Sequence, residues 1–114
     1  MRTITAKDLQ AKIDAQEDFV LLNVLSAEDF EKAHIPGSLN VPQKRESFVQ
    51  DVEKLVTDKS RTVVVYCASR DCSASPQAAK KLEDAGFKNV VDFEDGLAGW
   101  RLAGYQVAEM AHTS

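Results

Sequence analysis

The two cysteines, Cys67 and Cys72, are the residues best suited to chemistry in this sequence. Cys67 directly follows an apolar run at 62–66 and precedes a polar stretch at 68–73 that leads into a helix-like segment. At the carboxyl end of a strand and near a helix N-terminus, unpaired main-chain N–H groups can stabilise an anion. A thiol of ordinary pKa, about 8.5, is mostly protonated at neutral pH. We therefore expect the loop to lower the pKa of Cys67 and make it a nucleophile.

The residues between Cys67 and the following helix form the candidate binding loop. They are Ala68, Ser69, Arg70, Asp71, Cys72 and Ser73. Loops in such positions bind ligands more often than they pack, and their main-chain N–H groups are expected to hold an anion. Arg70 adds a positive charge if its side chain folds over the loop. The alternative is a solvent-exposed arginine without contact to a substrate.

Apolar runs alternate with amphipathic segments, which predicts strands alternating with helices. The predicted strands cover residues 19–24, 39–41, 62–66 and 90–93. Thr5 and Ser26 each have an acidic residue one turn later, the pattern of a helix N-cap, and a further helix follows Ser73. Two more helices are expected at about 48–56 and 97–102. This order indicates an α/β sandwich around a mostly parallel sheet, in which Cys67 ends a strand at the edge where ligands bind.

The composition is that of one compact globular domain. The chain has 114 residues, of which 44% are hydrophobic and 28% charged, with a formal net charge of -4. We expect a single domain over 1–107, followed by a frayed tail at 108–114. The negative charge argues against nucleic-acid binding, and no apolar stretch approaches the ~20 residues of a membrane span. The N-terminus lacks a secretory apolar segment, so the cytoplasm is the expected compartment.

Four segments, in order, resemble the motifs of the rhodanese family. The run 63–67 with its loop, followed by 78–90, is similar to the catalytic half of a rhodanese domain. The segments 20–24 and 28–42 resemble its N-terminal signatures, and 93–107 resembles its closing motif. The resemblance implies a rhodanese-like three-layer sandwich, with a mostly parallel five-stranded sheet flanked by helices.

The resemblance also implies a sulfurtransferase that needs no cofactor. Cys67 would take sulfane sulfur from a small anionic donor such as thiosulfate and hold it as a persulfide. A thiol, a protein acceptor or cyanide would then remove it. The loop residues 68–73 would act mostly through their main chain, and Arg70 would orient the donor.

Departures from the family pattern leave alternatives open. Cys72 occupies the end of the loop, where it could resolve a Cys67 persulfide or could instead pack as a small apolar residue. Asn23-Val24-Leu25 stands where Asp-Val-Arg is frequent, so a carboxylate and an arginine are missing. A persulfide carrier or regulatory binding module is the second candidate function. A cysteine-loop phosphatase or arsenate reductase needs an arginine at the position of Ser73.

The other polar residues offer little additional chemistry. Cys67, Cys72 and His34 are too few and too irregularly spaced to predict a metal site. His34 is interpreted as a structural hydrogen-bonding residue. A small acidic cluster near the end of the last predicted strand is interpreted as part of a solvated face: Asp92, Glu94 and Asp95.

Overall fold

The sheet that positions the candidate site has five parallel strands. The computed structural model describes residues 2–109. The strands of both its sheets are β1 (Arg2–Thr3), β2 (Phe19–Asn23), β3 (Ala33–His34), β4 (Leu39–Asn40), β5 (Thr62–Tyr66), β6 (Val90–Asp92) and β7 (Ala108–Glu109). The main sheet has the order β1-β6-β5-β2-β4, and all of its neighbouring pairs are parallel. The predicted α/β class with a five-stranded parallel sheet is confirmed.

Five helices connect the strands in the described part of the chain. They are α1 (Ala6–Asp14), α2 (Ala27–Lys32), α3 (Phe48–Leu55), α4 (Ala74–Asp84) and α5 (Gly96–Leu102). Two of them begin as predicted. The Thr5 hydroxyl accepts from the Asp8 amide at 3.1 Å, and the Ser26 hydroxyl accepts from the Asp29 amide at 3.2 Å. Each cap satisfies a donor that the first turn of a helix leaves free.

Apolar side chains are buried on both faces of the sheet, which makes three layers. Successive residues of a strand point to opposite faces, so β2 and β5 supply both cores. One core includes residues of α3 and α4: Val20, Leu22, Phe48, Val52, Val63, Val65 and Leu82. The other includes residues of α1 and α5: Leu9, Leu21, Val64, Tyr66, Val91 and Trp100. The predicted three-layer sandwich is confirmed.

A second, two-stranded sheet joins the end of the described chain to the region after α2. β7 pairs antiparallel with β3, with Ala33 opposite Glu109 and His34 opposite Ala108. Ala108 and Glu109, the first two residues of the tail expected to be frayed over 108–114, pair with β3 through their main chain. Residues 110–114 lie outside the described residues. Within residues 2–109, no helix is both long enough and apolar enough to cross a membrane.

Candidate active site

Cys67 lies at the carboxyl edge of the sheet, directly after a central strand. It follows β5, whose neighbours in the sheet are β2 and β6. Because these strands are parallel, the segments that follow them meet at one edge, where ligand sites of open α/β sheets lie. Cys67 is fully buried, whereas Ala68 and Arg70 are exposed. The sulfur therefore sits at the base of an exposed loop.

The Cys67 sulfur faces hydrogen-bond acceptors in place of the predicted cradle of amides. Its Sγ lies 3.5 Å from the Cys72 carbonyl oxygen, 3.9 Å from the Ser69 carbonyl oxygen and 3.5 Å from the Ser75 Oγ. The Cys72 amide donates to the Ser69 carbonyl at 3.1 Å, within a turn, and is not free for the sulfur. Carbonyl oxygens stabilise a thiol over a thiolate.

This environment raises the pKa of Cys67. Burial is the largest cause, the neighbouring Cys72 thiol adds to the increase, and the Ser75 hydroxyl and amide only partly oppose it. The expected lowering of the Cys67 pKa is therefore wrong for this structure. The main physical reason is burial of the thiol, which disfavours its charged form.

Cys72 is the more exposed and the more acidic of the two thiols. Burial raises its pKa, but the hydrogen bond from Cys67 and the main-chain amides of Ala74 and Ala68 outweigh burial, so the pKa of Cys72 is lowered. Both cysteines are free, and Cys72 also packs against the core on the α4 face. The loop therefore lowers the pKa of Cys72 and does not lower that of Cys67.

Arg70 forms an ion pair at the rim of the loop. Its Nη2 and Nε lie 2.8 Å and 3.0 Å from Oδ1 of Asp95. The hydrogen bond to Asp95, and then the charges of Asp95 and Glu94, raise the pKa of the Arg70 guanidinium. The Arg70 side chain remains 72% exposed. Its charge is thus available to solvent but partly compensated by Asp95.

The first turn of α5 holds the start of the loop in place. The amides of Leu97 and Ala98 donate to the carbonyl oxygens of Cys67 and Ala68 at 2.9 Å and 2.8 Å. Gly96 permits this close approach, because a Cβ at its position would lie 2.5 Å from the Cys67 carbonyl oxygen. Gly96 also has a positive φ of 64°. The main chain at Cys67 is therefore fixed by α5 as well as by β5.

Asp92 is a candidate residue that the sequence analysis placed wrongly. It was interpreted as part of a solvated face, but it is only 1% exposed. It ends β6 in register with Val65 of β5, and its Oδ1 has no hydrogen-bond partner among residues 2–109. Burial raises the pKa of the Asp92 carboxyl, the Ser75 hydroxyl partly offsets this increase, and the charge of Glu94 adds to it. Its position at the end of a buried strand beside β5 was the available signal.

Two other residues discussed from the sequence have structural contacts. The Asn23 Oδ1 accepts from the Leu25 amide at 3.0 Å, so the asparagine closes the turn after β2. The His34 ring stacks on Phe30 with centroids 3.9 Å apart, and its Nδ1 lies 2.8 Å from the Phe30 carbonyl oxygen. Within the described residues, no group of three or more His, Cys, Asp or Glu is arranged to hold a metal ion.

Comparison with known proteins identifies the family. The sequence profile of the rhodanese-like domain matches residues 5–103. The chain belongs to the rhodanese-like domain family. Among solved structures, the thiosulfate sulfurtransferase from Pseudomonas aeruginosa superposes on this rhodanese-like domain with a TM-score of 0.83 at 29% identity. The alignment covers 97% of this chain and 21% of that chain, so the predicted rhodanese-like fold is confirmed.

Curated relatives carry the rhodanese-like domain within longer chains. This chain is 34% identical over 108 residues to the HTH-type transcriptional regulator Rv0324 of Mycobacterium tuberculosis, covering 95% of this chain and 45% of the regulator. It is 29% identical over 97 residues to YrkF of Bacillus subtilis, named as a candidate sulfur carrier, covering 85% of this chain and 49% of YrkF. The chain spans about half the length of these relatives.

Proposed function

We propose that this rhodanese-like domain is a sulfurtransferase in which Cys67 carries sulfane sulfur as a persulfide. The observation that carries the proposal is the position of Cys67, directly after the central strand β5 and in contact with the Ser75 hydroxyl and with the main chain of a second cysteine, Cys72. The family match and relatives named for sulfur carriage and thiosulfate sulfurtransfer support this chemistry.

The proposed reaction has two displacement steps. In the first, the Cys67 thiolate attacks the outer sulfur of a small anionic donor such as thiosulfate. A sulfur–sulfur bond forms at Cys67, the donor's sulfur–sulfur bond breaks, and sulfite leaves with the electron pair. In the second, a thiol, a protein acceptor or cyanide attacks the outer persulfide sulfur and releases the Cys67 thiolate. Both steps are balanced without an oxidant or a cofactor.

The loop residues 68–73 would form the donor-binding surface, with Arg70 attracting the anion at the rim. Cys72 is the proposed resolving thiol. Its thiolate would attack the Cys67 sulfur of the persulfide, form a disulfide and release hydrosulfide. The distance of 3.5 Å between the Cys67 sulfur and the Cys72 carbonyl oxygen, together with the lowered pKa of Cys72, supports this role. Two free thiols also suit the reducing cytoplasm, where we place the protein.

Intact-protein mass spectrometry after incubation with thiosulfate tests the proposed nucleophile. We expect the wild-type protein to gain, at short times, one sulfur that a reducing agent removes, and to lose this sulfur at longer times as Cys72 forms a disulfide with Cys67. Cys67→Ser should gain none, and Cys72→Ser, the matched control, should still gain one. Sulfur uptake that persists in Cys67→Ser and is lost in Cys72→Ser would assign the nucleophile to Cys72 and overturn the proposal.

A persulfide carrier is the second candidate function. The similarity to YrkF favours this function, because YrkF is named as a candidate sulfur carrier and the aligned region covers about half of its length. Steady-state turnover with thiosulfate and cyanide would be compared with single, stoichiometric transfer of the loaded sulfur to a protein thiol. Fast turnover supports the transferase. Slow turnover with complete transfer supports the carrier.

A further inference from the structure

A buried thiol of raised pKa needs a proton acceptor before it can attack a donor. Cys67 is fully buried and faces two carbonyl oxygens, which cannot take its proton at neutral pH. Arg70 is a cation paired with Asp95. His34 is held at Phe30. Two other titratable groups belong to this region: Cys72, whose carbonyl oxygen lies 3.5 Å from the Cys67 sulfur, and Asp92, which lines the same cleft as Cys72 and Ser75.

Ser75 is the hydroxyl that connects Cys67 with Asp92. It lies in the first turn of α4, is 1% exposed, and accepts from the Cys67 thiol at a distance of 3.5 Å. Ser75 and the Asp92 carboxyl line the same cleft, and the Ser75 hydroxyl partly offsets the rise in the pKa of Asp92 that burial causes. A hydroxyl can accept one proton while it donates its own, so it can bridge a thiol and a carboxylate.

The Asp92 carboxyl has the features of a proton carrier and lacks those of a structural ion pair. It is almost fully buried, and its Oδ1 is without a hydrogen-bond partner in the described part of the chain. A buried carboxylate without a cation is costly, and the cost falls when it binds a proton. Cys72, Ser75 and Asp92 together line part of a cleft of about 170 Å³, which connects this group with the surface.

We propose that Asp92 is the proton partner of Cys67, exchanging one proton with its sulfur through the Ser75 hydroxyl, so that the buried pair holds a single negative charge. The catalytic part of this inference rests on the proposed sulfurtransferase function. Ser75 touches the reacting sulfur in this scheme, whereas Asp92 acts on the sulfur through Ser75.

The proton transfer is balanced at each stage. In the resting protein Cys67 is a thiol and Asp92 is ionised. The Cys67 proton moves to Ser75 Oγ while the Ser75 proton moves to Asp92, which leaves a thiolate and a neutral carboxyl. After the thiolate attacks the donor, the negative charge lies on the outer persulfide sulfur, and Asp92 stays protonated. Removal of the outer sulfur returns the thiolate, which then recovers the proton from Asp92.

Negative charges near Asp92 favour its neutral form when the Cys67 sulfur is ionised. Glu94 acts on Asp92 from the segment after β6, and Cys72 acts from the loop. Among residues 2–109, Arg70 is the one cation that lines this cleft, and it is paired with Asp95. Two adjacent buried anions repel each other strongly, so an ionised sulfur and an ionised Asp92 would not coexist easily.

Sulfur-loading kinetics of Asp92→Asn and Ser75→Ala test the proposal. At neutral pH we expect both variants to load sulfur from thiosulfate about 10²-fold more slowly, the size of a lost general base. The loading rates should approach the wild-type rate at high pH, where Cys67 ionises without help. Glu83→Gln is the matched control, because it removes an exposed carboxylate near the other end of α4 from Ser75, and it should load at nearly the wild-type rate.

Whether Asp92→Asn slows or speeds sulfur loading shows whether Asp92 accepts the Cys67 proton or acts only as a nearby negative charge. If Asp92 acted only as a negative charge, its removal would lower the pKa of Cys67 and speed loading at neutral pH. Faster or unchanged loading in Asp92→Asn would therefore overturn the proposal. Ser75→Ala keeps the carboxyl and breaks only the bridge, so unchanged loading in this variant would overturn it as well.

Infrared difference spectroscopy gives a readout that does not depend on rate. Persulfide loading of the wild-type protein, labelled with carbon-13 aspartate, should produce the carbonyl band of a protonated carboxyl, and Asp92→Asn should lack it. Loading without this band would overturn the proton transfer while leaving the transferase intact.

If no sulfur loads on Cys67, the transferase proposal fails. Alkylation of Cys67 by iodoacetamide then tests the proton partner alone, because it needs no sulfur donor. In Asp92→Asn, the thiolate fraction of Cys67 and hence its alkylation rate should rise about tenfold per pH unit below the thiol pKa. In the wild type, Asp92 already takes the proton from part of the Cys67 population, so the alkylation rate should rise less steeply with pH.

Discussion

At the scale of single residues, the ion pair between Arg70 and Asp95 decides how much positive charge the loop offers to a donor. We expect Asp95→Asn to release the guanidinium and lower the KM for thiosulfate about two- to fivefold, the size of an exposed ion pair, without changing kcat. The effect should shrink as salt is added. Steady-state kinetics at low and high ionic strength measure it.

The double variant Arg70→Ala with Asp95→Asn is the control for this prediction. It removes the cation that the single variant is expected to release, so its KM should lie above that of the wild type. A KM for Asp95→Asn that equals the wild-type value at low salt would show that Arg70 does not attract the donor.

The residue types predicted where Cys67 lies in the fold better than they predicted the direction of its pKa shift. Cys67 could be placed at the end of a strand because an apolar run precedes it and polar residues follow it. Whether a loop peptide turns its N–H or its carbonyl toward the sulfur depends on backbone angles, which Ser69, Arg70 and Asp71 restrict only weakly. Asp92 was misplaced because its acidic neighbours suggested a solvated face, whereas its pairing with β5 buries it.

At the scale of elements, the contact between α5 and the loop depends on Gly96. Alanine at this position would collide with the Cys67 carbonyl and the Ser69 amide, in addition to adopting a positive φ. We expect Gly96→Ala to lower the free energy of unfolding by on the order of 3 kcal/mol and to slow sulfur loading, because the main chain of Cys67 must shift. Chemical denaturation and loading rates measured below the melting temperature test both effects.

Gly104→Ala is a matched control for Gly96→Ala. Gly104 also has a positive φ, of 86°, but a Cβ there would meet nothing within 4 Å. The expected cost is about 1–2 kcal/mol from backbone strain alone, with no change in loading rate. Equal losses of stability and activity in the two variants would show that crowding against the loop is unimportant.

Element boundaries were predictable where side chains mark them. Thr5 and Ser26 begin helices because their hydroxyls replace missing main-chain acceptors, and this pattern is visible in sequence. The pairing of β3 with β7 was missed because each strand has only 2 residues and no alternation of apolar and polar types. Such short strands are determined by tertiary proximity, which local sequence does not encode.

At the scale of the whole molecule, β7 sets how far the folded domain extends. It pairs with β3, and the Glu109 carboxylate contacts the Arg101 guanidinium at 2.5 Å. The ion pair is exposed and adds little, so the main-chain hydrogen bonds of the β3–β7 pair should dominate. We propose on this basis that the domain includes Ala108 and Glu109, beyond the boundary at Val107 expected from the sequence.

Two shortened chains, one ending at Val107 and one ending at Glu109, test this boundary. Each main-chain hydrogen bond contributes about 1 kcal/mol, and in a domain of this size 1 kcal/mol corresponds to about 4–8 °C in Tm. We expect the chain ending at Val107 to melt at least ~4 °C below the other. None of the contacts described for Cys67 involves β7, so the two chains should load sulfur equally fast at a temperature below both transitions. Identical melting temperatures would place the boundary at Val107, and a difference in loading alone would mean that β7 acts on the site instead of on stability.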